Sequence, residues 1–182
     1  MSYTCMGFLE LSTIAKGIQV VDALLKKATI VIQFAYPVSS GKYLVGFVGE
    51  VEEVKSASFQ GREVAGSSLL DFFIIPNLHA EILPALAQEI QTTKIEALGI
   101  LETVTCAATV IAADAALKTS KVKLLKIQLA KGIGGKAYFV IEGEVADVES
   151  AIAAGIRSIR SQGIVDRVII PQARAELLQI LH

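Results

Sequence analysis

The chain has 182 residues, of which 53% are hydrophobic and 19% are charged, and its formal net charge is −1. This length fits one medium domain or two small ones of roughly 90 residues, each with a real core. The charge pattern excludes two classes of partner: no basic block suits nucleic acid, and charges interrupt every apolar run before the ~20 residues of a membrane helix.

The mean hydropathy of +0.57 is high for a chain without a membrane span. We therefore expect an oligomer that buries apolar surface against partner chains. The first ten residues lack the basic and apolar segments of a secretory signal, and Cys5 and Cys106 form no disulfide framework. The expected location is the reducing cytoplasm.

The first half of the chain alternates between strand patterns and helix patterns. Apolar residues at three- and four-residue spacing indicate amphipathic helices, whereas short apolar runs beside Gly-containing turns indicate strands. In chain order the predicted elements are strand 5–11, helix 12–27, strands 29–35 and 42–49, helix 52–63, strand 70–75 and helix 79–88.

The second half repeats the first. GFLE at residues 7–10 is followed by GILE at residues 99–102, and GEVEEVKSA at residues 49–57 by GEVADVESA at residues 143–151. Such self-similarity indicates a duplicated structural unit. The second set of predicted elements is strand 97–103, helix 106–119, strands 121–130 and 137–143, helix 147–161, strand 166–170 and helix 173–181.

The order βαββαβα in each copy predicts an α+β fold of the ferredoxin-like type, with helices on one face of a largely antiparallel sheet. The two domains are predicted at residues 1–90 and 95–182. A polar segment at residues 88–94 is the predicted linker.

Several strings, in this order and present twice, resemble the bacterial microcompartment (BMC) shell-protein family. They include ALGILE at 97–102, AADA at 112–115, VIIP at 168–171, GFLELSTIAKG at 7–17 and GIGGK at 132–136. The chain is most similar to the tandem-domain, trimeric members associated with propanediol utilisation. The resemblance implies a structural, non-enzymatic tile of a polyhedral shell in the cytoplasm, built as a flat pseudohexameric homotrimer that contacts other shell proteins.

In that family, the turn between the second and third strands of each domain lines a central threefold pore. In the first turn, Ser39 and Ser40 would form a ring of hydroxyls around the axis, a neutral constriction suited to small polar metabolites. Alternatively, these serines only satisfy the backbone of the turn. Likewise, Lys42 and Lys136 either create positive potential at the pore or point to solvent. The predicted pore-lining residues are Val38, Ser39, Ser40, Gly41, Lys42, Gly132, Ile133, Gly134, Gly135 and Lys136.

The resemblance to the tandem-domain members raises the question of a cofactor. Relatives of that kind hold a [4Fe–4S] cluster through a cysteine of the first loop. Ser39 stands at that position here. A serine hydroxyl is neither soft nor readily deprotonated, so we predict no cluster and no metal site. The alternatives are a redox shell protein with a metal or iron–sulfur centre on the threefold axis, and a trimeric regulator that binds a small ligand.

The resemblance also identifies residues at the lateral edge of a tile. Lys26 and Lys118 match the edge lysine of the family, although each could be an ordinary solvated lysine near a helix end. Asn77 and Gln172 occupy the position of a family arginine. Different or weaker lateral packing is therefore expected.

Other polar residues offer little for catalysis. His79 and His182 lack metal-ligand spacing. Glu10 and Glu102 occupy matching strand positions, so they follow the repeat instead of forming an acid/base pair with two different environments. No enzymatic activity is predicted.

Overall fold

A computed structural model describes residues 5–88, 95–160 and 163–181 of the chain. The order βαββαβα occurs twice, as predicted. The elements are β1 (Cys5–Leu11), α1 (Ile14–Lys27), β2 (Val31–Pro37), β3 (Tyr43–Gly49), α2 (Val51–Ala65), β4 (Leu69–Pro76), α3 (Ile82–Leu86), β5 (Ala97–Thr103), α4 (Cys106–Thr119), β6 (Lys123–Leu129), β7 (Ala137–Gly143), α5 (Val145–Ser158), β8 (Ile164–Ile170) and α6 (Leu177–Ile180).

The terminal helices are shorter than the predicted 79–88 and 173–181, and each begins several residues after the last strand of its repeat. Helix α1 begins two residues later than predicted, after Thr13 in extended conformation. Residues 89–94 of the predicted linker, residue 161 of the predicted fifth helix, and His182 lie outside the described residues.

The first sheet has the strand order β2-β3-β1-β4, and every neighbouring pair is antiparallel. Strand β1 lies inside the sheet and all seven of its residues are buried. Its apolar residues Leu9 and Leu11 join Val20 and Leu24 of α1 in the core. Burial on both faces explains why β1 reads as a continuous apolar run and not as an alternating strand.

The second sheet repeats this arrangement as β6-β7-β5-β8. The registers correspond, since Ile32 pairs with Phe47 in the first sheet and Leu124 with Ile141 in the second. The edge strands β2 and β6 each have a bulge, which follows Ile32 in β2 and Leu124 in β6. The repeat found in the sequence is therefore a repeat of backbone pairing as well.

The chain divides into two compact units that do not coincide with the two halves of the sequence. The described residues up to Leu78 form the first unit together with the loop Ala130–Gly135, while all other described residues, from His79 onward, belong to the second. Helix α3, at the end of the first repeat, is thus part of the second unit. The domain limits 1–90 and 95–182 remain predictions.

The first helices of the two repeats differ in burial. Only Gly17, Val20 and Leu24 are buried in α1. Gly17 is required there, since a Cβ atom would overlap the ring of Tyr43. In α4, ten of the fourteen residues are buried. Among the described residues, no helix is long and apolar enough to cross a membrane.

Candidate functional site

In both predicted pore loops, the two residues before the lysine have positive φ angles. In the first loop, Ser40 and Gly41 have φ angles of 65° and 70°; in the second, Gly134 and Gly135 have 65° and 85°. The first turn is closed by a hydrogen bond of 2.9 Å from the Val38 N–H to the Lys42 carbonyl. The loops differ in side chains, as the sequence indicated, but share positive φ angles at the two positions that precede the lysine.

Within the first unit, two hydrogen bonds join the loops to each other. The Gly132 N–H donates to Ser39 Oγ over 2.9 Å, and Lys42 Nζ donates to the Gly135 carbonyl over 3.1 Å. Gly135 is suited to this contact, because a Cβ atom there would lie 3.2 Å from Ser40 Oγ and a positive φ favours glycine. The structure thus brings together residues of both loops that are 93 positions apart in the sequence.

Lys42 also forms an ion pair with Glu10 of strand β1, at 2.8 Å between Nζ and Oε1. The Glu10 side chain is fully buried, and that of Lys42 is 19% exposed. The charge of Lys42 is therefore offset by a carboxylate and its ammonium position is fixed. A buried ion pair of this kind is held in place by the cost of leaving either charge alone.

The equivalent pair in the second unit is open. Lys136 Nζ lies 3.1 Å from Glu102 Oε1, with side chains that are 50% and 35% exposed. Glu10 and Glu102 are thus the ion-pair partners of the two loop lysines, whereas the sequence interpretation gave them no role beyond following the repeat. The available signal was a glutamate in an otherwise apolar strand, repeated in both copies, with a lysine after the turn in both.

The two predicted edge lysines form equivalent ion pairs in the two repeats, but the aspartates that bind them differ in exposure. Lys26 is bound to Asp22 and Lys118 to Asp114, each at 2.6 Å and one helical turn apart. The Asp22 side chain is 60% exposed, whereas that of Asp114 is 9% exposed. Asn77 and Gln172 are both exposed and both have a positive φ, of 54° and 51°.

Asp114 is buried because the end of the first repeat covers it within the second unit. Its Oδ1 atom accepts the His79 N–H at 2.8 Å, which leaves Oδ2 for Lys118. Two residues further on, Glu81 Oε2 accepts the Leu124 N–H of edge strand β6, also at 2.8 Å. These contacts anchor the segment that leads into α3.

Neither cysteine belongs to a predicted pore loop. Cys5 in β1 and Cys106 in α4 are buried, and burial raises the pKa of the Cys5 thiol, an effect that Lys55 partly opposes. The part of the chain that the structure describes contains no cluster of three or more His, Cys, Asp or Glu side chains arranged for a metal. The donor set in the loops, serine hydroxyls and glycine peptides, does not fit an iron–sulfur cluster.

The duplicated fold, with its two contacting loops, agrees with a known protein family. The BMC domain matches residues 5–78 and again residues 97–173, so the chain belongs to the BMC domain family and carries the domain twice. The bacterial microcompartment shell protein PduT of Citrobacter freundii is 40% identical to it over 168 residues, which are 92% of this chain and 91% of that protein.

Two solved structures agree with this assignment. A microcompartment protein from Desulfitobacterium hafniense DCB superimposes with a TM-score of 0.87, at 40% identity over 98% of this chain and 99% of that one. The fused permuted hexameric shell protein MSM0275 matches with a TM-score of 0.67 over 87% of this chain and 82% of that one, and its 20% identity supports the fold alone. The two BMC domains and the relative PduT support a structural role in a microcompartment shell.

Proposed function

We propose that the chain is a homotrimeric shell tile whose central threefold pore passes small polar metabolites. The observation that carries the proposal is the direct contact between the two predicted pore loops, through Ser39 to Gly132 and Lys42 to Gly135. A trimer repeats this pair of loops three times around its axis. A chain with two unequal domains thereby builds a threefold pore from two kinds of loop.

The chemistry of the loops favours neutral polar solutes. Ser40 is exposed and Ser39 is half-buried, and the second loop exposes Gly132 and Gly134. Because Glu10 offsets the charge of Lys42, the first lysine adds little positive potential to the opening. Hydroxyl and peptide groups exchange hydrogen bonds with a passing hydroxylated or carbonyl compound at low cost.

The proposed tile is neither an enzyme nor a redox carrier. Glu10 and Glu102, the two carboxylates considered as an acid/base pair, are each ion-paired to a lysine. An axial [4Fe–4S] cluster needs a thiolate from each chain, and the first loop presents Ser39 instead of cysteine. Anaerobic incubation with iron and sulfide is expected to leave the wild-type protein without cluster absorption, and such absorption would contradict this part of the proposal.

Assembly with other shell proteins would use the tile edge. Lys26, whose side chain is 74% exposed, and the exposed Asn77 and Gln172 are the proposed lateral residues, together with Lys118. Each contact is weak, but a tile with several edges gains from multivalency. The proposed site of assembly is the shell of a microcompartment in the cytoplasm.

The trimer is tested by sedimentation equilibrium of the full chain. The expected mass is three times the 19.3 kDa of one chain, and electron microscopy is expected to show sheets at high protein concentration. Lys26→Glu should abolish the sheets and leave the trimer intact, since Lys26 is proposed to lie outside the trimer contacts. A monomer at every concentration would refute the proposal.

The pore is tested by the conductance of single trimers in a planar lipid bilayer. Ser40→Asp places three carboxylates at the proposed opening and should shift selectivity toward cations, as aspartate rings do in cation channels. Aspartate tolerates the positive φ of residue 40. The matched control is Ser67→Asp, an exposed serine outside both loops. Equal selectivity of the two variants would exclude Ser40 from the conducting path.

A further inference from the structure

One lysine connects the first sheet to the second predicted pore loop. Lys42 Nζ lies 2.8 Å from Glu10 Oε1 and 3.1 Å from the Gly135 carbonyl oxygen. Lysine has three N–H donors, so one ammonium can serve a carboxylate and a carbonyl together. Glu10 belongs to the central strand β1, and Gly135 lies 93 residues beyond Lys42 in the sequence. A single side chain thus bridges a central strand and a distant loop.

The ammonium of Lys42 has a fixed position. The Glu10 side chain is fully buried, and loss of the lysine would leave that charge buried without its ion-pair partner, which is costly. Strand β1 is itself held by antiparallel neighbours on both sides. The carboxylate therefore fixes the ammonium, and the ammonium offers a donor at a defined place. A charge-assisted hydrogen bond of this kind is stronger than a bond between neutral groups.

The loop Ala130–Gly135 has little conformational preference of its own. Gly132, Gly134 and Gly135 have φ angles of 79°, 65° and 85°, and glycine loses more conformational freedom on ordering than any other residue. At the start of the loop, Ala130 is fully buried with a φ of 50°. A residue with a Cβ atom keeps this conformation only when its surroundings impose it. Contacts outside the loop therefore have to hold it in place.

Ser39 and Lys42 supply such contacts. In the middle of the loop, the Gly132 N–H donates to Ser39 Oγ over 2.9 Å. At its end, Gly135 fits closely against Lys42, because a Cβ atom there would lie 3.4 Å from Cε and 3.5 Å from Nζ. Ser39 belongs to a loop itself, whereas Lys42 is fixed by the buried Glu10. The bond from Lys42 therefore transmits the position of the sheet to the loop.

The corresponding lysine of the second repeat is not fixed in this way. Lys136 Nζ lies 3.1 Å from Glu102 Oε1, but the two side chains are 50% and 35% exposed. Water can replace either partner of such a pair at little cost. Of the two loop lysines, Lys42 is thus the one whose ammonium is held in a defined place.

We propose that Glu10 and Lys42 are positioning residues, which set the place of the loop Ala130–Gly135 and thereby the width of the pore. Neither residue has to touch the solute, since the ammonium orders the backbone from which the pore wall is built. The proposal deepens the proposed function and rests on it, because it assigns this loop to the wall of the pore.

The test compares two double variants of the full chain by hydrogen exchange. Glu10→Met with Lys42→Met replaces the buried ion pair by apolar side chains, a change that folded proteins often tolerate. The matched control is Glu52→Met with Lys55→Met, an exposed pair at 2.7 Å on α2, outside both loops. Both double variants keep the net charge of the wild-type chain.

The first double variant should exchange the amides of residues 130–135 about tenfold faster than wild type, because a hydrogen bond from a charged donor is lost. The control should exchange them at the wild-type rate. Amides of the central strand β3 should change less than those of the loop, which separates release of the loop from a general loss of stability.

Gly135→Ala is the second variant, which leaves Glu10 and Lys42 in place and crowds their contact with the loop. It should also accelerate exchange at residues 130–135, and it decides the question if the double variant does not fold. Wild-type exchange of this segment in both variants would overturn the proposal.

The conductance of single trimers in a planar bilayer tests the consequence for the pore. Since the double variant at residues 10 and 42 keeps the net charge, a broader distribution of conductances would report the position of the loop. Wild-type conductance together with fast exchange of the loop would overturn the link to the pore. A wild-type protein that conducts no ions would instead overturn the proposed function, and the exchange result would stand on its own.

Discussion

The two repeats have the same fold and the same charged pairs, yet each repeat buries a different pair. Glu10 beneath Lys42 is buried in the first repeat, while its counterpart Glu102 is partly exposed. The order is reversed at the aspartates, where Asp114 is buried and Asp22 is exposed. In each buried case a segment of the other repeat binds one member of the pair: the Gly135 carbonyl accepts from Lys42, and the His79 N–H donates to Asp114. Burial of these groups is thus decided by their neighbour and not by the fold of the repeat itself.

This comparison has an energetic consequence. A charge that is buried with its partner costs several kcal/mol when the partner is removed, whereas an exposed pair contributes about 0–1 kcal/mol. Equivalent substitutions in the two repeats should therefore have unequal effects on the single chain. The following experiments use denaturant unfolding at a protein concentration below trimer dissociation.

The largest difference in the free energy of unfolding is expected between the variants Lys42→Met and Lys136→Met. The first leaves Glu10 buried without its ion-pair partner, and the free energy of unfolding should fall by about 3 kcal/mol. The second leaves Glu102 with access to water, and the loss should stay below about 1 kcal/mol. Equal losses would show that the two ion pairs have the same surroundings, contrary to the structure.

A smaller difference is expected between Gly135→Ala and Gly41→Ala. Both residues have a positive φ, which costs a residue with a Cβ atom about 1–2 kcal/mol. At Gly41 the new Cβ would meet open space, but at Gly135 it would press on Ser40 and Lys42. Gly135→Ala should therefore reduce the unfolding free energy more than Gly41→Ala does. The reverse order would argue against the contact between the two loops.

The smallest pair of effects is expected at the helix aspartates. Asp114→Asn weakens the bonds to His79 and Lys118 and should cost about 1–2 kcal/mol. Asp22→Asn removes a surface pair one helical turn apart, worth about 0.3–0.5 kcal/mol. Comparable destabilisation by the two variants would mean that Asp22 is as well covered within one chain as Asp114, contrary to their exposed fractions.

Much of the fold could be predicted from the sequence because it depends on local patterns. The central strands β1 and β5 and helix α4 have the predicted bounds, since apolar runs and helical spacing mark them directly. The resemblance to the BMC family, confirmed by the match of both domains, also came from short strings in a fixed order. The pore and edge assignments remain predictions.

What the sequence alone determined is the duplicated unit, its α+β order and its membership of the shell-protein family. Only the tertiary structure decided which copy of each charged group is covered, and that Ser39 and Lys42 hold Gly132 and Gly135. The reason is physical: identical residues in both repeats carry identical local signals, whereas desolvation depends on segments far away in the chain. The helix α3 and the loop Ala130–Gly135, each packed in the unit of the other repeat, supply that difference.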